Sequence, residues 1–210
     1  IEILKSFLAD SNTPLAIRSS SLLEDSQYQP LAGMYATYMI PNCAKSNKER
    51  LNQISEAIKR VYASTFFQDP KSLMDNIIQR IEEEKMGVII MEIAGKNHDG
   101  LFYPTISGVA QSYNYYPVSY MKRDEGISFL ALGLGRTIAD GEKSLRVSPK
   151  HPNILPQYYS ISSTIENSQN EFYALNLSDG KNPMRGGVED NIKRYPLNIA
   201  EGNGELKWTA

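Results

Sequence analysis

The chain has 210 residues, 41% hydrophobic and 22% charged, a balance that supports one sizeable hydrophobic core or two small ones. Its formal net charge of -2 argues against a nucleic-acid partner held mainly by phosphate contacts. The apolar runs are too short to cross a bilayer, and the first residues lack the order of a signal peptide. The single cysteine, Cys43, excludes an internal disulfide and a cysteine-only zinc site. We therefore expect a cytoplasmic protein with no membrane or nucleic-acid partner.

Helical periodicity marks the first half of the chain. Apolar residues recur at helical spacing over the first nine residues and again over Lys48–Ser64. Another helix is predicted over Asp69–Lys85, because an aspartate N-cap is followed by proline at the first helical position. Between the helices, Leu15–Ile17 and Met34–Ile40 predict strands, and the polar stretch Ser19–Pro30 predicts a loop.

The second half of the chain is rich in predicted strands. Short apolar segments between turn residues predict strands at Gly87–Ile93, Leu101–Ile106, Gly108–Gln111, Ile127–Leu132, Leu145–Val147 and Phe172–Leu177. Because helices precede strands instead of alternating with them, the sequence predicts an α+β fold. We expect a first part, residues 1–93, and a strand-rich second part, residues 94–210. Ile1 already lies in a helical pattern, and Ala210 follows a glycine turn typical of a hairpin, so we expect a segment incomplete at both ends.

Several familiar signatures are absent from the sequence. No G-x-x-x-x-G-K-[ST] motif occurs, which excludes a P-loop protein. The segment Gly133–Gly135 lacks the third glycine of the Rossmann fingerprint. His98 and His151 stand alone, without a second histidine at metal-ligand spacing. The sequence therefore predicts neither a metal site nor a catalytic side chain within this chain.

The residues with the clearest chemical meaning follow the first predicted strand. Arg18 stands at the end of an apolar run, where a strand terminus projects a guanidinium fork that suits phosphate oxygens. Ser19 and Ser20 add hydroxyl groups beside it, and Gly33 lets the backbone come close to a ligand. Taken alone, Arg18 could simply be a strand-end arginine paired with Glu24 or Asp25.

In their order and spacing, these residues resemble the N-terminal nucleotide-binding domain of the phosphoenolpyruvate synthase and pyruvate, phosphate dikinase family. That family has an Arg-Ser-Ser strand end, a Glu-Asp pair, an Ala-Gly turn, a threonine before a strand and a helix ending in Ala-Ser. Its Ser-Gly-Val and Gly-Leu-Gly-Glu elements come later. The similar segments here are Arg18–Ser20, Glu24-Asp25, Leu31–Gly33, Thr37, Ala57–Ser64, Ser107–Val109 and Gly133–Arg136.

The resemblance implies an ATP-grasp fold, in which two α+β subdomains clasp the nucleotide. The implied ATP- and phosphate-binding residues are Arg18, Ser19, Ser20, Gly33, Met34 and Thr37. The implied adenine hinge consists of Met91, Glu92 and Ile93. In such enzymes ATP phosphorylates a histidine on one further domain, and another domain passes the phosphoryl group to pyruvate. The implied cofactors are ATP and Mg²⁺, and the implied partners are the phosphohistidine and pyruvate domains of a longer chain.

Four departures from the family pattern limit what the resemblance implies. The family's Gly-Leu-Gly-Glu ends here in Arg136, so a base replaces an acid, and Met91 stands near the usual hinge glutamine. The family's Gly-Gly-Lys element and its late metal-binding cluster have no counterpart in this chain. We therefore expect the metal ligands outside this segment and little or no turnover from it alone, because phosphoryl transfer needs metal and cationic clamps together.

Two alternatives stay open on the sequence. Arg136 in place of an acid favours a degenerate nucleotide-sensing or scaffolding domain that binds ATP without transferring phosphate. A related dikinase that acts on glucan is the second alternative, and it would give the tyrosines between Tyr113 and Tyr120 a role in stacking on sugar rings.

Overall fold

The computed structural model describes residues 1–21, 24, 33, 35–66, 85–118, 120–178, 187 and 191–206. The chain forms two compact units, one of residues Ile1–Ile93 with Leu175–Ile192 and the other of Ala94–Ala174 with Lys193–Ala210. Helices are combined with small sheets, and the strand pairs whose register is described are antiparallel. The predicted α+β class is confirmed. The helix predicted over Asp69–Lys85 lies almost wholly outside the described residues.

The described residues of the first unit form a three-stranded sheet and two helices. Its elements are α1 (Glu2–Asp10), β1 (Leu15–Ser21), β2 (Tyr38–Ile40), α2 (Asn47–Ser64) and β3 (Met86–Glu92). The strand order is β2-β1-β3, so β1 is the central strand. The hydroxyl of Ser46 caps α2 by accepting a hydrogen bond from the Lys48 amide at 3.2 Å.

The core of the first unit lies between α2 and one face of this sheet. The apolar stripe of α2 buries Ile54, Ala57 and Val61, each with no exposed surface. These side chains pack in one cluster with Leu15 and Ile17 of β1. Because strand side chains alternate between the two faces, this packing leaves the other face of β1 directed away from the helices.

The remaining elements belong mainly to the second unit. They are β4 (Lys96–His98), β5 (Leu101–Tyr103), β6 (Ser107–Gln111), β7 (Ile127–Ala131), α3 (Arg136–Ala139), β8 (Leu145–Val147), α4 (Ile161–Asn167), β9 (Glu171–Asn176), β10 (Ile192–Pro196) and α5 (Leu197–Gly202). They form one sheet in the order β6-β7-β8 and another in the order β10-β9-β5-β4. The core cluster of the second unit includes the buried side chains of Tyr103, Leu132 and Phe172.

The observed elements differ from the predicted ones at several boundaries. β1 continues to Ser21, so the serines assigned to a loop are strand residues. They remain in the ladder because a partner on β3 faces each residue from Leu15 to Ser21. β2 begins at Tyr38 and not at Met34. The glycine turn expected to lie in a hairpin instead follows α5, which ends at Gly202.

Candidate functional site

The exposed face of β1 carries the arginine singled out in the sequence. The register pairs Arg18 with Ile89 and Ser20 with Gly87 of β3, so these residues share one face of the sheet. Arg18 and Ser20 are both exposed. The Arg18 side chain makes no ion pair or hydrogen bond with any residue in the part of the chain that the structure describes. Its guanidinium group is therefore presented to solvent from a strand that is fixed on both sides.

Ser19 lies on the opposite, core-facing side of β1. It is 2% exposed, and its hydroxyl donates to Oε1 of Glu24 at 2.8 Å. The other carboxylate oxygen of Glu24 accepts from the Ser21 amide at 3.1 Å. The structure thus brings Arg18 and Ser20 together on one surface and places the hydroxyl of Ser19 elsewhere. It also directs Glu24 away from the ion pair with Arg18 that the sequence left open.

The glycine turn is described at Gly33 and again from Tyr35 onward. Gly33 is exposed at φ +81°, a backbone region that favours glycine, and no atom lies near the position of an added Cβ. Thr37 is exposed directly before β2. The last described β1–β2 pair joins Ile17 and Tyr38, which are the neighbours of Arg18 and Thr37 in the chain. Met34, the remaining residue predicted for this turn, lies outside the described residues.

The three residues predicted for the adenine hinge have different surroundings. Met91 is 46% exposed and pairs with Ala16 on the same sheet face as Arg18. The amide of Ile93 donates to the Pro14 carbonyl at 2.9 Å. Glu92 points to the other face, where its Oε1 accepts from the Ser11 hydroxyl at 2.6 Å. This hydrogen bond, followed by one from Thr13, holds the pKa of Glu92 below its usual value.

A ligand along the exposed sheet face would meet both polar and apolar groups. Met91 and Ile89 are two residues apart on β3, which is about 7 Å along a strand. Ile89 is 42% exposed and stands opposite Arg18. This surface therefore combines an apolar stretch with a cationic end, a combination suited to a ligand with a planar base and anionic groups.

A second candidate site lies within the second unit. A cavity of about 830 Å³ lies over the β6-β7-β8 sheet, where the register aligns Val109, Phe129 and Arg146 in one row. The guanidinium carbon of Arg146 is 5.9 Å from the centroid of the Phe129 ring. Lys143 also lines the cavity, and neither cation forms an ion pair with the described residues. The sequence gives no signal for these two cations because they are scattered among neutral residues, and only β7–β8 pairing brings Arg146 to Phe129.

The family departure at Arg136 has a structural explanation in this chain. Its Nε donates to Oδ2 of Asp140 at 3.0 Å, and its guanidinium carbon lies 5.0 Å from the centroid of the Tyr173 ring. Arg194 lies at the same distance from that ring, and its Nε donates to the Tyr173 hydroxyl at 2.7 Å. Burial raises the pKa of Tyr173, and its hydrogen bond to Glu142 acts in the same direction.

Two general features of the described residues bear on possible ligands. No group of three or more His, Cys, Asp or Glu side chains is placed there to hold a metal ion. No helix in the same ranges is both long and apolar enough to span a bilayer.

Arg18, predicted at a strand end, lies instead in the middle of β1, which continues to Ser21. The fold and the Arg18 surface thus define an α+β domain with an exposed cation on the central strand of a sheet. The chain matches the family described as pyruvate phosphate dikinase, AMP/ATP-binding domain, over residues 2–198, and it belongs to that family. It is also 29% identical over 178 residues to the "Uncharacterized phosphotransferase YvkC" of Bacillus subtilis (strain 168). That alignment covers 84% of this chain and 18% of the relative, so the chain spans less than a fifth of the relative's length. The resemblance read from the sequence is confirmed, and the chain is an AMP/ATP-binding domain of this family.

Proposed function

We propose that this chain is the ATP-binding segment of a phosphoenolpyruvate synthase-like phosphotransferase with an ATP-grasp fold. In the full-length protein, ATP would phosphorylate a histidine on another domain, and the phosphoryl group would then pass to pyruvate. Membership of the AMP/ATP-binding family supports the ligand. The printed name of the Bacillus relative supports the reaction class. Phosphohistidine and pyruvate domains outside this chain are part of the proposal.

The exposed guanidinium of Arg18 is the observation that carries the proposal. Arginine is always charged and can donate two parallel hydrogen bonds to one phosphate group. An arginine paired with a carboxylate would have fewer N–H donors available for a phosphate. Glu24 instead accepts hydrogen bonds from Ser19 and Ser21 on the other face. Arg18 therefore acts as the phosphate clamp in our proposal.

The neighbouring residues have supporting roles. In our proposal Ser20 and Thr37 would offer hydroxyl groups to the phosphates, and the Gly33 turn, with Met34, would cover them. Ser19 would support the clamp from the core side of the strand. Met91 would contact the adenine ring, next to the backbone of Glu92 and Ile93.

We also propose that Mg²⁺ binds together with ATP, because it would neutralise charge on the phosphates. The described residues offer no metal-binding cluster, so we assign no Mg²⁺ ligand among them. We propose that the ligands lie elsewhere in the full-length protein and that this chain alone has little or no turnover.

Isothermal titration of the full-length protein with ATP, with and without Mg²⁺, tests the proposal. Arg18→Ala should weaken ATP binding by about tenfold or more, since a charge-assisted hydrogen-bond pair is lost. Arg60→Ala is a matched control, because Arg60 belongs to the same unit but pairs with Glu56 at 3.0 Å on the surface of α2. Equal affinities of wild type and Arg18→Ala would remove Arg18 from the site.

A nucleotide-sensing domain without phosphoryl transfer is the second candidate. The observation in its favour is Arg136, which replaces the family's acid and is engaged by Asp140 and Tyr173. Tight ATP binding by the full-length protein, with no ³²P transfer from labelled ATP to protein or pyruvate, would favour sensing. Transfer to a histidine would decide for the phosphotransferase.

A further inference from the structure

The serine that ends α2 connects this helix to the segment before β2. Ser64 has no exposed surface, and its hydroxyl donates to the Val61 carbonyl at 2.7 Å. The same oxygen accepts a hydrogen bond from the Ala36 amide at 3.1 Å. One buried hydroxyl thus satisfies a carbonyl near the end of the helix and an amide near the glycine turn.

This hydrogen bond fixes the point where the chain leaves the turn. Ala36 packs against the core cluster of the first unit, and Tyr35 beside it is 4% exposed. Thr37 follows directly and is exposed, and its neighbour Tyr38 pairs with Ile17, the neighbour of Arg18. The anchored amide of Ala36 is therefore one residue from the proposed phosphate surface.

We propose that Ser64 is a positioning residue for the phosphate end of the bound nucleotide. It touches no ligand itself and acts through Ala36, which holds Thr37 beside Arg18. The inference rests on the proposed function, because it needs a nucleotide whose phosphates lie against Arg18. Without the hydroxyl, the Ala36 amide loses its partner, and a buried unpaired N–H favours a shift of this segment.

The two ends of the nucleotide should respond differently to the loss of Ser64. Arg18 and Met91 are held by the β1–β3 ladder, which does not depend on Ser64. Thr37 directly precedes β2, next to Ala36, and we expect its position to depend on the anchor at Ala36. A positioning role therefore predicts a loss of binding affinity that is larger for nucleotides with more phosphates. A purely structural role predicts a lower free energy of unfolding with no change in nucleotide preference.

The test compares ATP and AMP binding to the full-length protein by calorimetry, well below its unfolding temperature. Ser64→Ala should raise the Kd for ATP by about five- to tenfold and the Kd for AMP by less than about twofold. Ser64→Thr keeps the hydroxyl and should keep the wild-type ratio of the two constants. Ile54→Val is the matched control, because it removes a methyl group from a fully buried site on the same helix and leaves the hydroxyl in place.

An unchanged Kd for ATP in Ser64→Ala, or equal losses for ATP and AMP, would overturn the positioning role. The wild-type and Arg18→Ala titrations test the proposed function separately, so a failure there is distinguished from a failure at Ser64. Should Ser64→Ala not fold, amide hydrogen exchange on the wild type replaces it. The Ala36 amide should exchange slowly and be protected further by ATP than by AMP, and equal protection by both nucleotides contradicts the inference.

Discussion

Ser19 and Glu24 meet on the core-facing side of β1, where the serine hydroxyl donates to the carboxylate at 2.8 Å. Arg18, one residue earlier, projects from the opposite face and pairs in register with Ile89. The alternation of a strand therefore separates two roles that adjoin in the sequence. One side chain stabilises the segment after the strand, and the other is presented to a ligand.

Replacing Ser19 and Ser20 one at a time should separate these roles. Ser19→Ala removes a buried hydrogen bond to a carboxylate and should lower the free energy of unfolding by about 1–2 kcal/mol. Ser20→Ala changes an exposed side chain and should alter stability by less than about 0.5 kcal/mol. The same Ser20→Ala variant should weaken ATP binding by about two- to tenfold. Urea unfolding measures the stability effect and calorimetry the binding effect. A stability loss in Ser20→Ala with a binding loss in Ser19→Ala would contradict the sheet face that each serine occupies.

Glu92 offers a test based on pH. Its pKa lies below the ordinary value of 4.5, first because Ser11 and then because Thr13 donates a hydrogen bond to the charged form. Near that value the unfolded chain binds more protons than the folded chain, so stability rises with pH. The contribution of Glu92 should be fully present above pH 4.5 and should be lost as the pH falls through the lower folded pKa.

Comparison of wild type with Glu92→Gln isolates this contribution. The wild type should be more stable at neutral pH, and the difference should shrink steadily as urea unfolding is repeated at more acidic pH. A difference that stays constant across the acidic range would show that the carboxylate charge does not matter. If Glu92 instead contacts adenine through its side chain, Glu92→Gln should change the Kd for ATP, which the Ser11 contact does not predict.

The glycines of the Gly-Leu-Gly segment provide a matched pair. An added Cβ at Gly133 would lie 2.7 Å from the Tyr173 carbonyl oxygen, and φ there is +86°. Gly135 has φ -61°, and its nearest neighbour would be the Ser107 Cβ at 3.9 Å. Gly133→Ala should therefore cost more than about 2 kcal/mol of unfolding free energy, and Gly135→Ala less than about 1 kcal/mol. Thermal unfolding of both variants checks this, and equal costs would be inconsistent with the backbone contact to β9.

The sequence predicts local elements better than it predicts which side chains meet. The apolar stripe of α2 marks that helix to within one residue, because 3.6-residue periodicity is a local property. The sequence predicts a loop for the serines after Arg18, because their polarity hides a strand. The core-facing hydroxyl of Ser19 donates to the Glu24 carboxylate, and that of Ser21 accepts from the Glu24 amide. Arg146 and Phe129 approach each other only through β7–β8 pairing, a non-local contact without a sequence signal. Ser64 belonged to a recognised Ala-Ser element, yet its partner Ala36 is 28 residues away.

The departure at Arg136 leads to the last prediction, in which the family's usual acid is restored. Arg136→Glu would replace the pair with Asp140, at 3.0 Å, by two like charges four residues apart, and it would remove the cation from the face of Tyr173. We expect a loss of about 1 kcal/mol in the free energy of unfolding, reduced by salt because the pair is partly exposed. Arg136→Gln removes the charge without adding repulsion and should cost less than Arg136→Glu. If Arg136→Glu were as stable as the wild type and bound ATP more tightly, the glutamate would restore a contact with the ligand. Arg136 would then not be a structural adaptation to Asp140 and Tyr173.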